Sequence, residues 1–154
     1  MKLNKKTKIV VIGGAGLIGS HTVDLLTKFE FNELIIFDNF SRGKEKNLKH
    51  SLKDKRVKIY EYGGSILDFD ILNRCLKNTD YVFHFAALWL LHCHEFPKSA
   101  FEVNIKGTFN VLEANFSMVR LRLFFKRISF SAFMSLLCSS SVPTAICKVL
   151  LKLG

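Results

Sequence analysis

No aspartate or glutamate occurs after Glu113, because all 13 acidic residues lie between Asp24 and Glu113. The last 40 residues carry six cations (Arg120, Arg122, Lys126, Arg127, Lys148 and Lys152), whereas residues 1–114 hold 17 Lys and Arg against the 13 acids. The net charge of +10 therefore comes from a mildly basic body and an acid-free basic tail. Acids interspersed through the body argue against a nucleic-acid partner. The lysine-rich run 44–58 (KEKNLKHSLKDKRVK) lacks the interleaved aromatics that base stacking needs, and reads as a solvated helix and loop. Paired cysteines are missing too: Cys75, Cys93, Cys138 and Cys147 form no CxxC, and MKLNKKTK runs straight into an apolar segment with no small-residue cleavage site. A reducing, cytoplasmic setting is expected. With 154 residues and 49% hydrophobic content, the chain has material for one domain with a true core and is not disordered.

What is present is organised around Lys8–His21, KIVVIGGAGLIGSH. Ile9-Val10-Val11-Ile12 suits a buried parallel strand. Glycines follow at Gly13, Gly14, Gly16 and Gly19, and then apolar residues take helical spacing at Leu17, Ile18, Val23, Leu25 and Leu26. A strand turning through glycine into a helix presents unpaired N–H groups and the positive end of the helix dipole, which suits a pyrophosphate. Gly13 serves the turn, Gly16 leaves room for phosphates, and Gly19 lets the helix lie close to the strand.

Glu33–Phe37 reads as a second strand ending at Asp38, 19 residues past Gly19. A carboxylate at that distance accepts hydrogen bonds from a ribose and repels a 2′-phosphate, favouring NAD over NADP, although Arg42 and Lys44 lie nearby. Residues 57–62 alternate as a third strand, and a helix is expected from about Phe69 to Lys77 with Ile71, Leu72, Cys75 and Leu76 inward. Asp80–Phe85 is a fourth strand, followed by Ala86 and Ala87, whose small side chains leave a crevice open between strands one and four. Residues 88–96 (LWLLHCHEF) read as a short apolar loop bordering a cleft, because neighbouring His92, Cys93, His94 and Glu95 point apart and make a poor metal site. No metal is expected. Pro97 opens a helix that continues to about Ala114.

Five ordered stretches together resemble the NAD-dependent epimerase/dehydratase family, the extended short-chain dehydrogenase/reductases that act on nucleotide sugars. They are GGAGLIGSH (13–21), DNFSRGK (38–44), GSILD (64–68), DYVFHFAAL (80–88) and VNIKGTFNVLEA (103–114). UDP-glucose 4-epimerases and their dehydratase and decarboxylase cousins share this pattern. The resemblance implies NAD with its pyrophosphate over Gly13, Gly16, Leu17 and Ile18. Asp38 and Asn39 would hold the adenosine ribose, with Phe40, Arg42 and Gly43 around it. Ser65 and Ile66 would border the adenine, Ala86 and Ala87 the nicotinamide side, and Asn104 would support the active-site end of the sheet. Ser65 stands where the family usually has aspartate, and Ile12 where it usually has threonine. In the family a hydride passes from a sugar carbon to NAD while the tyrosine of a Tyr-x-x-x-Lys motif takes the hydroxyl proton, and an epimerase returns the hydride to the other face of the keto intermediate. Here the tyrosines are Tyr60, Tyr62 and Tyr81, and four residues on stand Gly64, Ile66 and Phe85, so no catalytic residue is assigned. For an intact form the resemblance implies a nucleotide-sugar substrate and is compatible with a homodimer.

The expected fold is thus an α/β Rossmann-type doubly wound parallel sheet, truncated after about four strands in the order 3-2-1-4, with an atypical tail. The domains expected are 1–114, an NAD-binding half-domain, and 115–154, a basic hydrophobic tail consistent with a frameshift near codon 115. Strand four would be an exposed, aggregation-prone edge unless the tail covers it. Ile128 to Cys147 is 20 residues without charge, but seven Ser/Thr and Pro143 argue against a membrane span. Weak cofactor binding and no turnover are expected. A non-catalytic NAD-binding module completed by a partner is the alternative.

Overall fold

The computed structural model describes residues 3–118 and 150–152. Strand β1 (Lys8–Ile12) lies between β2 (Glu33–Phe37) and β4 (Tyr81–His84), with β3 (Val57–Ile59) outside β2, all parallel. Val10 is the centre of the register, opposite Ile35 on one side and Val82 on the other. Successive side chains of a strand face opposite sides of the sheet, so a strand covered on both faces must be apolar throughout. β1 meets that condition, with Ile9 through Ile12 fully buried. Ile9 and Val11 pack with Val23, Leu26, Leu34, Ile36 and Leu48 on one side. Val10 and Ile12 pack with Phe37, Leu72, Leu76, Val82 and Val111 on the other. Each such side chain contributes about 1.5–3 kcal/mol relative to exposure.

The first of these faces is covered by helix α1 (Leu17–Leu26), the second by α2 (Phe69–Leu76) and α5 (Thr108–Met118). Asp68 caps α2, its Oδ1 accepting the Ile71 N–H at 3.1 Å, which explains why the helix starts at Phe69. Ile71, Leu72, Cys75 and Leu76 join that core, Ile71 only partly buried.

Several local expectations are corrected. β3 stops at Ile59 instead of reaching Tyr62, because the chain makes its last bond to β2 through Tyr60 N–H on Ile36 O (2.9 Å) and then turns at 61–62. The lysine-rich run holds two short 3-10 turns, Glu45–Leu48 and Ser51–Lys53, anchored by fully buried Leu48. Residues 88–96 are mostly helical, not a loop: α3 (Leu90–Glu95) closes with Cys93 N–H on Trp89 O (3.0 Å) and Phe96 N–H on His92 O (2.8 Å). Pro97 ends α3, since the residue before a proline avoids helical geometry, and Phe96 sits at φ −130°, ψ 68°. Pro97 also opens α4 (Pro97–Ala100), as expected, but the rod then widens into a π-helical segment, Phe101–Gly107, before α5.

The sheet does not end at β4. Strand β5 (Leu150–Lys152) pairs antiparallel with it, placing Lys152 opposite Tyr81, Leu151 opposite Val82 and Leu150 opposite Phe83. The edge expected to be exposed unless the tail covered it is occupied by the tail, for a simple reason: an unpaired row of strand N–H and C=O groups accepts an extended segment in either direction. The serine run Ser139–Ser141 and the uncharged stretch 128–147 lie outside the described residues. Among the described residues, no helix is long and apolar enough to cross a membrane.

Candidate functional site

The carboxyl ends of β1, β2 and β4 lie side by side at one end of the sheet, the end at which such sheets bind ligands. Gly13 turns the chain out of β1 at φ +76°, a conformation that a side chain strains. Its N–H donates to Phe37 O (2.8 Å), and a Cβ on it would lie 2.6 Å from Ala86 N. A Cβ on Gly19 would lie 2.1 Å from Gly13 O, so α1 rests directly on the turn. Gly16 is the extended residue ahead of α1, and no side chain caps this end. The first intrahelical bond is Ser20 N–H to Gly16 O (2.9 Å), which leaves the preceding donors without an intrahelical acceptor. Leu17 and Ile18 beside them are 75% and 43% exposed, unusual for apolar residues at the start of a core helix.

Asp38, at the end of β2, is half-buried and already bonded. Its Oδ2 accepts the Ala15 N–H and its Oδ1 the Phe40 N–H, each at 2.8 Å. The second of these is an Asx turn, and it holds Phe40 at φ +55°. Asn39 makes a similar turn, Oδ1 accepting the Ser41 N–H at 3.1 Å. Gly43 packs on Ala15, whose carbonyl accepts from Lys44 N–H (3.2 Å) and Asn47 Nδ2 (2.9 Å). The glycine turn is thus gripped by the 38–47 segment at both the N–H and the C=O of Ala15. From the same segment the Arg42 guanidinium lies 4.7 Å from the centroid of the Trp89 ring.

The remaining expected residues fall into two groups. Gly64 packs on the Asp38–Asn39 backbone, so Ser65 and Ile66 follow directly beside the end of β2. The Ser65 hydroxyl accepts the Leu67 N–H (3.3 Å). Ile66 is only 4% exposed, with its carbonyl taken by Asn110 Nδ2 (2.9 Å), so its side chain belongs to the core. Ala86 abuts the glycine turn and Ala87 is exposed. Asn104 stands apart, on the π-helical segment: its Oδ1 accepts the Leu88 N–H (2.7 Å) and its Nδ2 donates to Leu88 O (3.0 Å). A π segment inserts a residue into the helical turn and re-aims the side chains it carries.

His84 was not singled out from the sequence. It is buried at the end of β4, with Nε2 3.2 Å from Thr108 Oγ1, and that hydroxyl donates to Asn104 O at 2.8 Å. Its Nδ1 has no partner among the described residues. Burial lowers the His84 pKa to about 4, so the ring is neutral near pH 7. Burial likewise raises the Cys75 thiol to about 12, leaving it inert. Among the described residues no cluster of three or more His, Cys, Asp or Glu could hold a metal.

Sheet order, glycine turn and the acid closing β2 together define a Rossmann-type fold. The model of the 3-beta hydroxysteroid dehydrogenase/isomerase family matches residues 10–126, and the chain belongs to this family and with it to the NAD-dependent epimerases and dehydratases that its motifs resemble. UDP-glucuronic acid decarboxylase 1 of Arabidopsis thaliana is 33% identical over 109 residues, covering 70% of this chain and 23% of that protein. UDP-glucose 4-epimerase of Lactobacillus helveticus is 34% identical over 110 residues, covering 70% of this chain and 31% of that protein. The dTDP-glucose 4,6-dehydratase of Streptomyces venezuelae, solved with NAD and TYD bound, is similar at a TM-score of 0.68 and 29% identity over 73% of this chain and 36% of its own. The chain spans less than a third of the length of these two curated relatives.

Proposed function

We propose that this chain is the N-terminal, NAD-binding part of a nucleotide-sugar epimerase of the UDP-glucose 4-epimerase kind, inactive on its own. The observation that carries the reading is the Asp38 carboxylate bonded to the glycine turn beside the uncapped N-terminus of α1. An anion site and a ribose acceptor then stand side by side, as a dinucleotide requires. The fit is sound: α1 begins in open donors, and each Asp38 oxygen, with one N–H bonded, keeps a second lone pair for a ribose hydroxyl. In this reading Gly13, Gly16, Leu17 and Ile18 hold the pyrophosphate, and Asp38 and Asn39 hold the ribose, flanked by Phe40, Arg42 and Gly43. Ser65 and the Ile66 backbone border the adenine, Ala86 and Ala87 line the nicotinamide side, and Asn104 positions the Leu88 segment behind it. NAD would supply a hydride acceptor. These residues bind and orient it, but none is placed to take a substrate proton.

Calorimetric titration of the purified 154-residue chain with NAD and with NADP tests the reading, alongside an assay of UDP-glucose turnover. NAD is expected to bind, NADP more weakly because Asp38 repels its 2′-phosphate, and turnover to be absent. Failure to bind NAD, or turnover by the chain alone, sinks it. The identity to the decarboxylase favours a second reading, the same part of a UDP-glucuronic acid decarboxylase. Stronger binding of UDP-glucuronate than UDP-glucose to the NAD-loaded chain would select it.

The organisation into a cofactor-binding unit, 1–114, and a tail of different origin, 115–154, belongs to the same proposal. The change of reading frame is placed near codon 115, although α5 runs on to Met118 and the family match to residue 126. Sequencing the gene past codon 115 and translating all three frames tests this. A Tyr-x-x-x-Lys in another frame would support it, and no such frame would end it.

A further inference from the structure

Two segments flank the glycine turn. On one side, 38–47 grips Ala15 through Asp38, Lys44 and Asn47. On the other, Ala86 abuts Gly13, and the chain continues through Leu88, whose N–H and C=O are both held by Asn104. From these anchored bases two side chains meet: Arg42 and Trp89, guanidinium over indole at 4.7 Å. Trp89 is 48% exposed, and among the described residues no carboxylate pairs with Arg42. The contact therefore links the segment that follows β2 to the segment that follows β4, the two that flank the glycine turn.

We propose that Arg42 and Trp89 form a clasp across the mouth of the cofactor cleft, and that a bound dinucleotide tightens it. The proposal rests on the NAD-binding reading and extends it to Trp89, a residue outside the sequence motifs. The chemistry is that of a planar cation. The face of the guanidinium stacks on the indole while its edge keeps N–H donors for a phosphate. A pyrophosphate in the cleft therefore adds a partner to Arg42 without removing the first. Lysine offers no such division between face and edge.

Trp89 is the single tryptophan of the chain, so its emission reports on the surroundings of this one residue. NAD is titrated into the full chain by calorimetry and, in parallel, by tryptophan fluorescence, with dissociation followed by stopped flow. Emission is expected to change with the same half-saturation as the heat. Arg42→Ala and Trp89→Ala should each raise Kd about two- to five-fold, mainly through faster dissociation. Trp89→Phe, which keeps an aromatic face, should recover most of the affinity. The double variant should be no worse than either single one, because both remove the same contact. Additive losses would mean that Arg42 acts on the phosphate without Trp89, and would overturn the clasp. So would unchanged emission on calorimetrically verified binding, or tighter binding by Arg42→Ala, the mark of a pair that blocks the cleft. Absence of NAD binding by calorimetry overturns the cofactor reading itself, and the clasp with it.

Discussion

The Asp38 carboxylate holds the Ala15 N–H with one oxygen and the Phe40 N–H with the other, tying the glycine turn to the end of β2 before any ligand arrives. Its structural and binding roles are separable. Asp38→Ala leaves the partly buried Ala15 N–H without its acceptor, while the exposed Phe40 N–H can turn to water, and should cost about 1–3 kcal/mol in urea denaturation without cofactor. The same variant should also lose NAD affinity. Unchanged ligand-free stability would show that the two hydrogen bonds contribute nothing to the turn. Residues of this kind were legible because their meaning is local: positive φ at Gly13, close approach at Gly19 and an acid at a set distance are all written in the chain around them. Asn47, His84 and Trp89 were not, because what they touch comes from elsewhere. Asn47 reaches Ala15 across 32 residues and His84 reaches Thr108 across 24. No spacing in the sequence announces such partners.

Elements were legible where one signal was strong. The β-branched run of β1, the apolar runs of β2 and β4, and the inward spacing of Ile71, Leu72, Cys75 and Leu76 in α2 each pointed to a single structure. They failed where tertiary contacts decide. Residues 88–96 lack a helical cap, and their helix forms on a base pinned by Asn104. The π segment follows from no propensity, and its Gly107 packs closely on Ile66. β5 was foreseen only as a possibility in the tail, since three residues show no period. Its role is nevertheless testable. Removing residues 150–154 returns the outer edge of β4 to solvent, and light scattering at equal concentration should rise well above that of the full chain. Leu151→Pro, in mid-strand, should act in the same direction, because proline lacks the N–H and fits poorly inside a strand. Unaltered scattering in both would mean that β5 does not protect this edge.

At the scale of the whole molecule, helices on both faces of the sheet bury the carboxyl end of β4, and His84 with it, against α5. This makes fold stability depend on pH in a definite window. The ordinary histidine pKa is 6.5, and burial lowers that of His84 to about 4, so between these values the unfolded chain binds a proton that the folded chain excludes. Stability therefore rises with pH across this interval and levels off above it. The depression corresponds to about 3 kcal/mol in all. Asp54 does not confuse the reading. Its hydrogen bond to Arg56 holds its carboxyl below the ordinary 3.8, so its contribution is lost only at still lower pH. Urea denaturation between about pH 7 and about pH 4.5 should show the loss, and His84→Gln, which cannot titrate, should flatten it. If the variant keeps the full slope, the acid sensitivity belongs to other groups, and His84 does not couple β4 to α5 in the way its burial indicates.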